Sequence, residues 1–79
     1  MTLRVKYFGV IAEETGKTEE LIELDQQEIN LEDFRTLCFS KYSFSDSDSI
    51  RFAVNQVLDS DAPLVHRDEI ALLPPFAGG

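Results

Sequence analysis

The residues of this chain whose types and spacing best suit chemistry are its last six, Pro74-Pro75-Phe76-Ala77-Gly78-Gly79. They follow the apolar run Ile70-Ala71-Leu72-Leu73, which predicts the final strand of a sheet. Because proline offers a sheet no N–H group and fixes its own φ, two prolines lead the chain out of the sheet in an extended form. Glycine lacks a Cβ atom, so the last two residues can pass through a narrow channel. We therefore expect a domain (1–73) followed by a tail (74–79) whose working group is the α-carboxylate of Gly79.

Other residue types with reactive side chains are less promising. Cys38 lies in the apolar stripe of a predicted helix, where burial suppresses thiol reactivity, and we interpret it as a core residue. His66 is expected in an exposed loop, and one cysteine with one histidine cannot form a zinc site unaided. Asp46 and Asp48 lie in a segment without the central glycine and distal glutamate of an EF-hand loop. We expect no metal site.

Composition restricts the class of protein and of partner. A chain of 79 residues with 43% hydrophobic and 28% charged residues predicts one globular domain. Fifteen acidic and seven basic residues, a net charge of −8, argue against nucleic acid as a partner. The charge is compatible with a basic protein partner or simply with a solvated surface. No apolar run approaches the ~20 residues of a membrane span, and no signal-peptide core is visible, so we expect a cytoplasmic protein without membrane contact.

The elements that would position the tail follow from periodicity and capping signals. Asn30 is a favoured N-cap for the main helix, and Gly16 is a favoured C-cap for a short helical turn. The first and last strands are nearly continuous in apolar content, which predicts central positions in the sheet. The pattern predicts an α+β fold, a ubiquitin-like β-grasp roll with a mixed sheet covered on one face by the main helix. The predicted strands are Leu3–Phe8, Glu20–Leu24, Ile50–Asn55, Val57–Leu58 and Ile70–Leu73.

Alternation along the strands predicts a second apolar surface. If Val5 and Tyr7 face the helix, Phe8 faces away from it, and the same argument applies to Leu73 in the last strand. One of Val57 and Leu58 must also face away, and we choose Leu58. Phe8, Leu58 and Leu73 would then form a patch at the base of the tail, which is typical of a protein interface. The alternative is scattered surface hydrophobic residues, which are normal.

Several stretches resemble one known family over essentially the whole chain. They are Val5-Lys6-Tyr7-Phe8-Gly9, Phe52-Ala53-Val54-Asn55-Gln56 and the run from Asp68 to Gly79. Together they resemble the small subunit of molybdopterin synthase, the MoaD type of the MoaD/ThiS family. The Gly-Gly end alone is shared with ubiquitin-like modifiers, whereas Pro-Pro-x-x-Gly-Gly after an apolar strand is more specific.

The resemblance implies a sulfur carrier without activity or bound cofactor of its own. An E1-like enzyme would use ATP to adenylate Gly79, and a sulfurtransferase or desulfurase would supply sulfur to form a thiocarboxylate. The tail would then insert into the large synthase subunit, within a heterotetramer, and donate its sulfur to cyclic pyranopterin monophosphate. The resemblance also implies which residues contact the large subunit. They are Phe8, Leu58, Leu73, Pro74, Pro75, Phe76 and Ala77, with Gly78 in the tail.

Two departures from the family pattern and two alternatives remain open. Ala12 stands where the family usually has arginine, and Arg67 stands where it usually has glycine. If that second position needs a positive φ, either Arg67 is strained by about 1 kcal/mol or the turn differs from that of the family. One alternative is a carrier for another pathway such as thiamine synthesis, although those carriers usually lack Pro-Pro. The other is a ubiquitin-like modifier, or a pure interaction module, whose carboxylate becomes amide-linked to lysines or stays unused.

Overall fold

Our structure is a computed structural model, and it describes residues 1–75. The predictions that concern Phe76, Ala77, Gly78 and Gly79 lie outside the described residues. The elements in chain order are β1 (Thr2–Tyr7), α1 (Val10–Thr15), β2 (Glu19–Glu23), β3 (Glu28–Ile29), α2 (Leu31–Lys41), a 3₁₀ turn (Ser47–Ser49), β4 (Arg51–Val54), β5 (Val57–Leu58), β6 (Leu64–Val65) and β7 (Glu69–Leu73).

The main sheet has five strands in the order β2-β1-β7-β4-β5. β1 and β7 run parallel, and the other neighbours are antiparallel, so the sheet is mixed. The first and last strands are both interior, as their apolar content predicted. A second sheet of two strands, β3 and β6, was not predicted, because strands of two residues are too short to show alternation.

The helix α2 begins as predicted and covers one face of the sheet. The Asn30 side chain accepts a 2.7 Å hydrogen bond from the Asp33 backbone N–H, which satisfies one of the free donors of the first turn. Phe34 is fully buried and meets Phe52 of β4 edge to face, with ring centroids 6.4 Å apart. α2 ends at Lys41, and Tyr42 is its C-cap with an extended backbone. The α+β, ubiquitin-like β-grasp prediction is confirmed.

Most differences between the predicted and observed strand bounds arise at turns. β1 ends at Tyr7 because Gly9 has φ 56°, although the Phe8 N–H still donates to the Leu72 carbonyl at 3.3 Å. β4 ends at Val54 because Asn55 and Gln56 have φ 48° and 72° and form the two-residue turn into β5. Two successive positive φ values give the twist that a tight hairpin needs. Gly16, at φ 77°, closes α1 in the predicted left-handed conformation.

Candidate functional site

The base of the tail lies at the end of the central strand, beside the turn between β1 and α1. β7 ends at Leu73, Pro74 is half-buried, and Pro75 is exposed. A Cβ atom at Gly9 would lie 3.1 Å from Cγ of Pro74, which is tighter than an ordinary contact. Glycine at this position therefore lets the proline ring pack directly on the backbone of the turn. The chain leaves the sheet at this point.

A small apolar slot of about 110 Å³ borders the two prolines on the side of α1. The loop between α2 and β4 closes the slot, and its Ser45 N–H donates to a Glu14 carboxylate oxygen at 2.9 Å. This hydrogen bond ties the loop to α1. The base of the tail is thus supported from two elements that are distant in sequence. The lining residues are Val10, Ile11, Glu14, Ser45, Asp46, Ile50, Pro74 and Pro75.

The side of the sheet opposite α2, which we call the open face, carries the three predicted interface residues. Ala53 pairs with both Leu58 and Ala71, which places these residues in one row across β5, β4 and β7. Tyr7 pairs with Leu72, so Phe8, the next residue, lies opposite Leu73 in the adjacent row. Phe8 and Leu58 are 44% and 45% exposed, and Leu73 is half-buried. The three share one face, about 14 Å wide at three strand spacings; their role in binding stays a prediction.

Val57 is 56% exposed as well, although the alternation argument allowed only one of the β5 residues to face away from the helix. Its partner Val54 faces the core, so Val57 is on the α2 side of the sheet. It is exposed because β5 is an edge strand. Two ion pairs border the open face, between Lys6 and Glu69 at 3.3 Å and between Arg51 and Asp59 at 3.0 Å.

Glu20 forms a polar cluster that the sequence did not predict. Its Oε1 accepts hydrogen bonds from the hydroxyl groups of Tyr7 at 2.5 Å and Tyr42 at 2.6 Å. Its Oε2 lies 3.2 Å from Nζ of Lys41 and 3.4 Å from Nζ of Lys17. Burial opposes the charge, but the hydrogen bonds from Tyr42, Tyr7 and Lys41 outweigh it and lower the pKa of Glu20 to about 2. Burial, followed by the bond to Glu20, raises the pKa of Tyr7.

This cluster joins β1, β2 and the C-terminal end of α2. No local pattern could have revealed it, since its members come together through strand register and helix docking. Each of these polar groups has a partner and the cluster borders the core, so we interpret it as a structural contact that holds α2 on the sheet.

The other residues that the sequence singled out, Cys38, His66, Arg67 and Ala12, do not lie at the base of the tail. Cys38 is a core residue, as predicted, and burial is the main cause that raises the pKa of its thiol to about 12, which suppresses thiolate formation. His66 is exposed, as predicted, and its Nδ1 accepts a 2.9 Å hydrogen bond from the Thr2 N–H. Arg67 has φ 76°, so the condition set for strain at this position is met, and the strain itself stays a prediction. Ala12 lies half-buried against the core.

Two further observations concern residues 1–75. These residues contain no group of three or more histidine, cysteine or acidic side chains arranged to hold a metal ion. Neither of the helices in the same range combines the length and apolar character that crossing a bilayer requires.

Comparison with known proteins identifies a family and several similar structures. A model of the ThiS family matches residues 5–79. A putative molybdopterin converting factor, subunit 1, from Pyrococcus furiosus is 23% identical with a TM-score of 0.79, and the alignment covers 96% of this chain and 99% of that chain. SAMP1 from Haloferax volcanii is 21% identical with a TM-score of 0.77 over 100% of both chains.

A third solved structure is a complex of subunits 1 and 2 of the molybdopterin-converting factor from Helicobacter pylori. Its matching chain is 27% identical with a TM-score of 0.71, and the alignment covers 100% of both chains. No curated protein matches the sequence. The likenesses below 25% identity support the ubiquitin-like β-grasp fold, and the Helicobacter protein shows a chain of this kind beside a second subunit.

Proposed function

The chain belongs to the ThiS family, and on this premise we propose that it is a sulfur carrier, the small sulfur-donating subunit of a molybdopterin synthase. One observation carries the proposal. The central strand β7 runs directly into Pro74-Pro75 at the edge of the apolar open face. The tail therefore starts next to the surface that a partner would contact if it covered Phe8, Leu58 and Leu73. The likeness to a subunit of the Helicobacter complex supports the large subunit as this partner.

Loading the tail requires activation, because a carboxylate is a poor electrophile. The Gly79 carboxylate attacks the α-phosphorus of ATP on an E1-like enzyme, pyrophosphate leaves, and an acyl adenylate forms. The terminal sulfur of a persulfide on a sulfurtransferase or desulfurase then attacks the carbonyl carbon and displaces AMP. A thiol reduces the resulting acyl disulfide, which leaves the thiocarboxylate. The thiocarboxylate is a better nucleophile than the carboxylate. Because it is attached to the protein, its effective concentration at the acceptor is also higher than that of free sulfide.

The tail gives up its sulfur in the active site of the large subunit. The thiocarboxylate sulfur attacks a carbon of cyclic pyranopterin monophosphate and displaces an oxygen substituent there. Water then cleaves the resulting thioester, so the sulfur stays on the pterin and Gly79 becomes a carboxylate again. The four residues from Phe76 to Gly79 reach at most about 14 Å beyond Pro75, which limits how deep that active site lies. Ordering each of them costs roughly 1–2 kcal/mol, whereas burial of Phe76 contributes about 1.5–3 kcal/mol. The tail alone therefore binds weakly, and the open face supplies most of the affinity.

The decisive experiment changes the length of the tail. One variant lacks Gly79 and another carries one added glycine, and both are incubated with activating enzyme, ATP and sulfur donor. We expect no exchange of oxygen for sulfur in the intact mass and no sulfur transfer, with an unchanged circular dichroism spectrum. Glu32→Gln, an exposed change on α2, is the control and should load normally. Normal transfer by the extended variant would contradict the proposal.

A ubiquitin-like modifier is the second candidate, because the likeness to SAMP1 covers the whole chain. In that case, protein isolated from its native cell would carry isopeptide adducts to lysines rather than a terminal sulfur. The ThiS match also keeps open a carrier for another pathway, such as thiamine synthesis. Incubating the thiocarboxylate form with each sulfur acceptor separately distinguishes the two carriers.

A further inference from the structure

A groove of about 440 Å³ lies on the open face, at the end far from the tail. Arg4 of β1 pairs with Leu21 of β2 and with Glu69 of β7, so these three side chains form one row across the sheet. Because β7 then runs four residues further to Leu73, the groove lies about 13 Å from the base of the tail. The complete lining is Thr2, Arg4, Leu21, His66, Arg67 and Glu69.

The groove contains the two guanidinium groups that have no partner within residues 1–75. Among the basic side chains of that range, Lys6, Lys17, Lys41 and Arg51 form ion pairs with carboxylates. Arg35 stacks on the rings of Phe39 and Phe52. Arg4 and Arg67 do neither, although the chain has fifteen acidic residues, and both are exposed in the same groove.

Arg67 also occupies a strained backbone position. It has φ 76° in the turn closed by the hydrogen bond from the Asp68 N–H to the Val65 carbonyl at 3.0 Å. Glycine adopts this conformation freely, whereas a side chain costs about 1 kcal/mol there. Strain of this kind often marks a functional position, since a residue without a role would relax.

The other lining groups complete a site that suits a side chain rather than a bare ion. His66 accepts a hydrogen bond at Nδ1 from the Thr2 N–H, so the proton of the neutral imidazole is on Nε2, which can donate. Leu21 is 63% exposed at the rim and offers apolar contact. Glu69 also lines the groove, which disfavours a doubly charged phosphate.

We propose that this groove binds the carboxylates of an acidic segment in the protein that covers the open face. Guanidinium groups bind carboxylates with two parallel hydrogen bonds, which gives direction as well as attraction. The groove lies on the same face of the sheet as Phe8 and Leu58, and an interface of standard size is large enough to cover both. The inference rests on the proposed function only for the identity of that protein.

The test uses the full chain and two synthetic peptides, Glu-Leu-Glu-Leu-Glu and Gln-Leu-Gln-Leu-Gln, followed by amide chemical shifts. We expect the acidic peptide, and not the neutral one, to shift the amide signals of the residues that line the groove. Arg4→Gln and Arg67→Gly should each weaken binding at least about threefold, and together about tenfold. Arg67→Gly also removes the strained side chain, so we expect this variant to be at least as stable as the wild type, which chemical denaturation checks. Arg51→Gln removes the same charge outside the groove and is the matched control.

Each outcome bears on the inference. Unchanged binding by both groove variants, shifts confined to another surface, or no binding would overturn it. Equally strong binding of inorganic phosphate would overturn the choice of a carboxylate ligand. These results are independent of sulfur loading. Failure of sulfur transfer with intact groove binding contradicts the proposed function alone, whereas normal transfer without groove binding contradicts this inference alone.

Discussion

Two residues, Glu20 and Arg67, are in states that their local sequence does not favour. The Glu20 carboxylate is charged although it is largely buried and accepts hydrogen bonds from two tyrosine hydroxyl groups, and Arg67 has a positive φ. Both states persist because the surrounding structure compensates for them. The Glu20 carboxylate is stabilised by hydrogen bonds, and the Arg67 backbone N–H donates to the Thr2 carbonyl at 2.8 Å. Each residue therefore leads to a measurable prediction.

The Glu20 cluster predicts a specific loss of stability in acid. The folded pKa of about 2 is below the ordinary glutamate pKa of 4.5, so the contribution of Glu20 to stability is complete above pH 4.5 and is lost as the pH falls toward 2. We expect Glu20→Gln to lower the free energy of unfolding by up to about 3 kcal/mol at neutral pH. The difference from wild type should shrink between these pH values in urea titrations. Glu28→Gln, on the exposed surface, is the control; a constant difference would contradict the assignment.

The positive φ of Arg67 predicts a stabilising substitution. Arg67→Gly should raise the free energy of unfolding by about 0.5–1 kcal/mol, because glycine adopts φ 76° without a Cβ clash. Gln56→Gly, at φ 72°, should act in the same direction. Chemical denaturation measures both variants. A destabilised Arg67→Gly protein would mean that contacts of the side chain outweigh the strain.

Among the secondary structure elements, β7 leads into the tail, and the β4–β5 hairpin pairs with β7 through β4. Asn55 has two roles there. Its φ of 48° suits the hairpin turn, and its side chain donates to Oδ1 of Asp68 and accepts from the Glu69 N–H, both at 3.0 Å. The motif Ala53-Val54-Asn55 thus joins the end of β4 to the start of β7. This gives a physical reason for a motif that the sequence showed only as a resemblance.

β5 offers a matched pair of substitutions for the open face. Leu58→Arg and Val57→Arg change neighbouring exposed residues, 45% and 56% exposed, on opposite faces of one strand. We expect Leu58→Arg to weaken binding to the large subunit at least tenfold, because a buried apolar contact is worth about 1.5–3 kcal/mol. Val57→Arg should bind normally, and both should remain folded. Equal affinities in calorimetric titrations would show that the open face is not the interface.

Within residues 1–75 the buried apolar side chains form a single core, and Cys38 belongs to it. The thiol is 1% exposed between α2 and the sheet, so a reagent reaches it only when the domain opens. We expect alkylation of Cys38 to be negligible in the native protein and to follow the unfolding curve in urea. Ser40→Cys in a Cys38→Ser background places a thiol on the exposed side of α2 and should react at once. Rapid alkylation of native Cys38 would indicate local opening of α2.

Local chemistry was sufficient to predict much of the fold. The Asn30 cap, the Gly16 cap, the alternation of β1 and the departure of the chain at Pro74 each depend on a few neighbouring residues. The face shared by Phe8, Leu58 and Leu73 was predictable for the same reason, since alternation has a period of two. Strand ends were predicted less well, because the residue at which β4 stops depends on the register in which β5 pairs with β4.

Features that join distant parts of the chain required the folded molecule. The Glu20 cluster, the small sheet of β3 and β6, and the groove with Arg4 and Arg67 bring together segments separated by tens of residues. Their positions depend on strand register and helix docking, which minimise the free energy of the whole domain. A local pattern carries no information about such partners. The sequence by itself therefore identified the tail and the family that the chain resembles. Only the tertiary structure decided which distant residues lie beside one another in the Glu20 cluster, the small sheet and the groove.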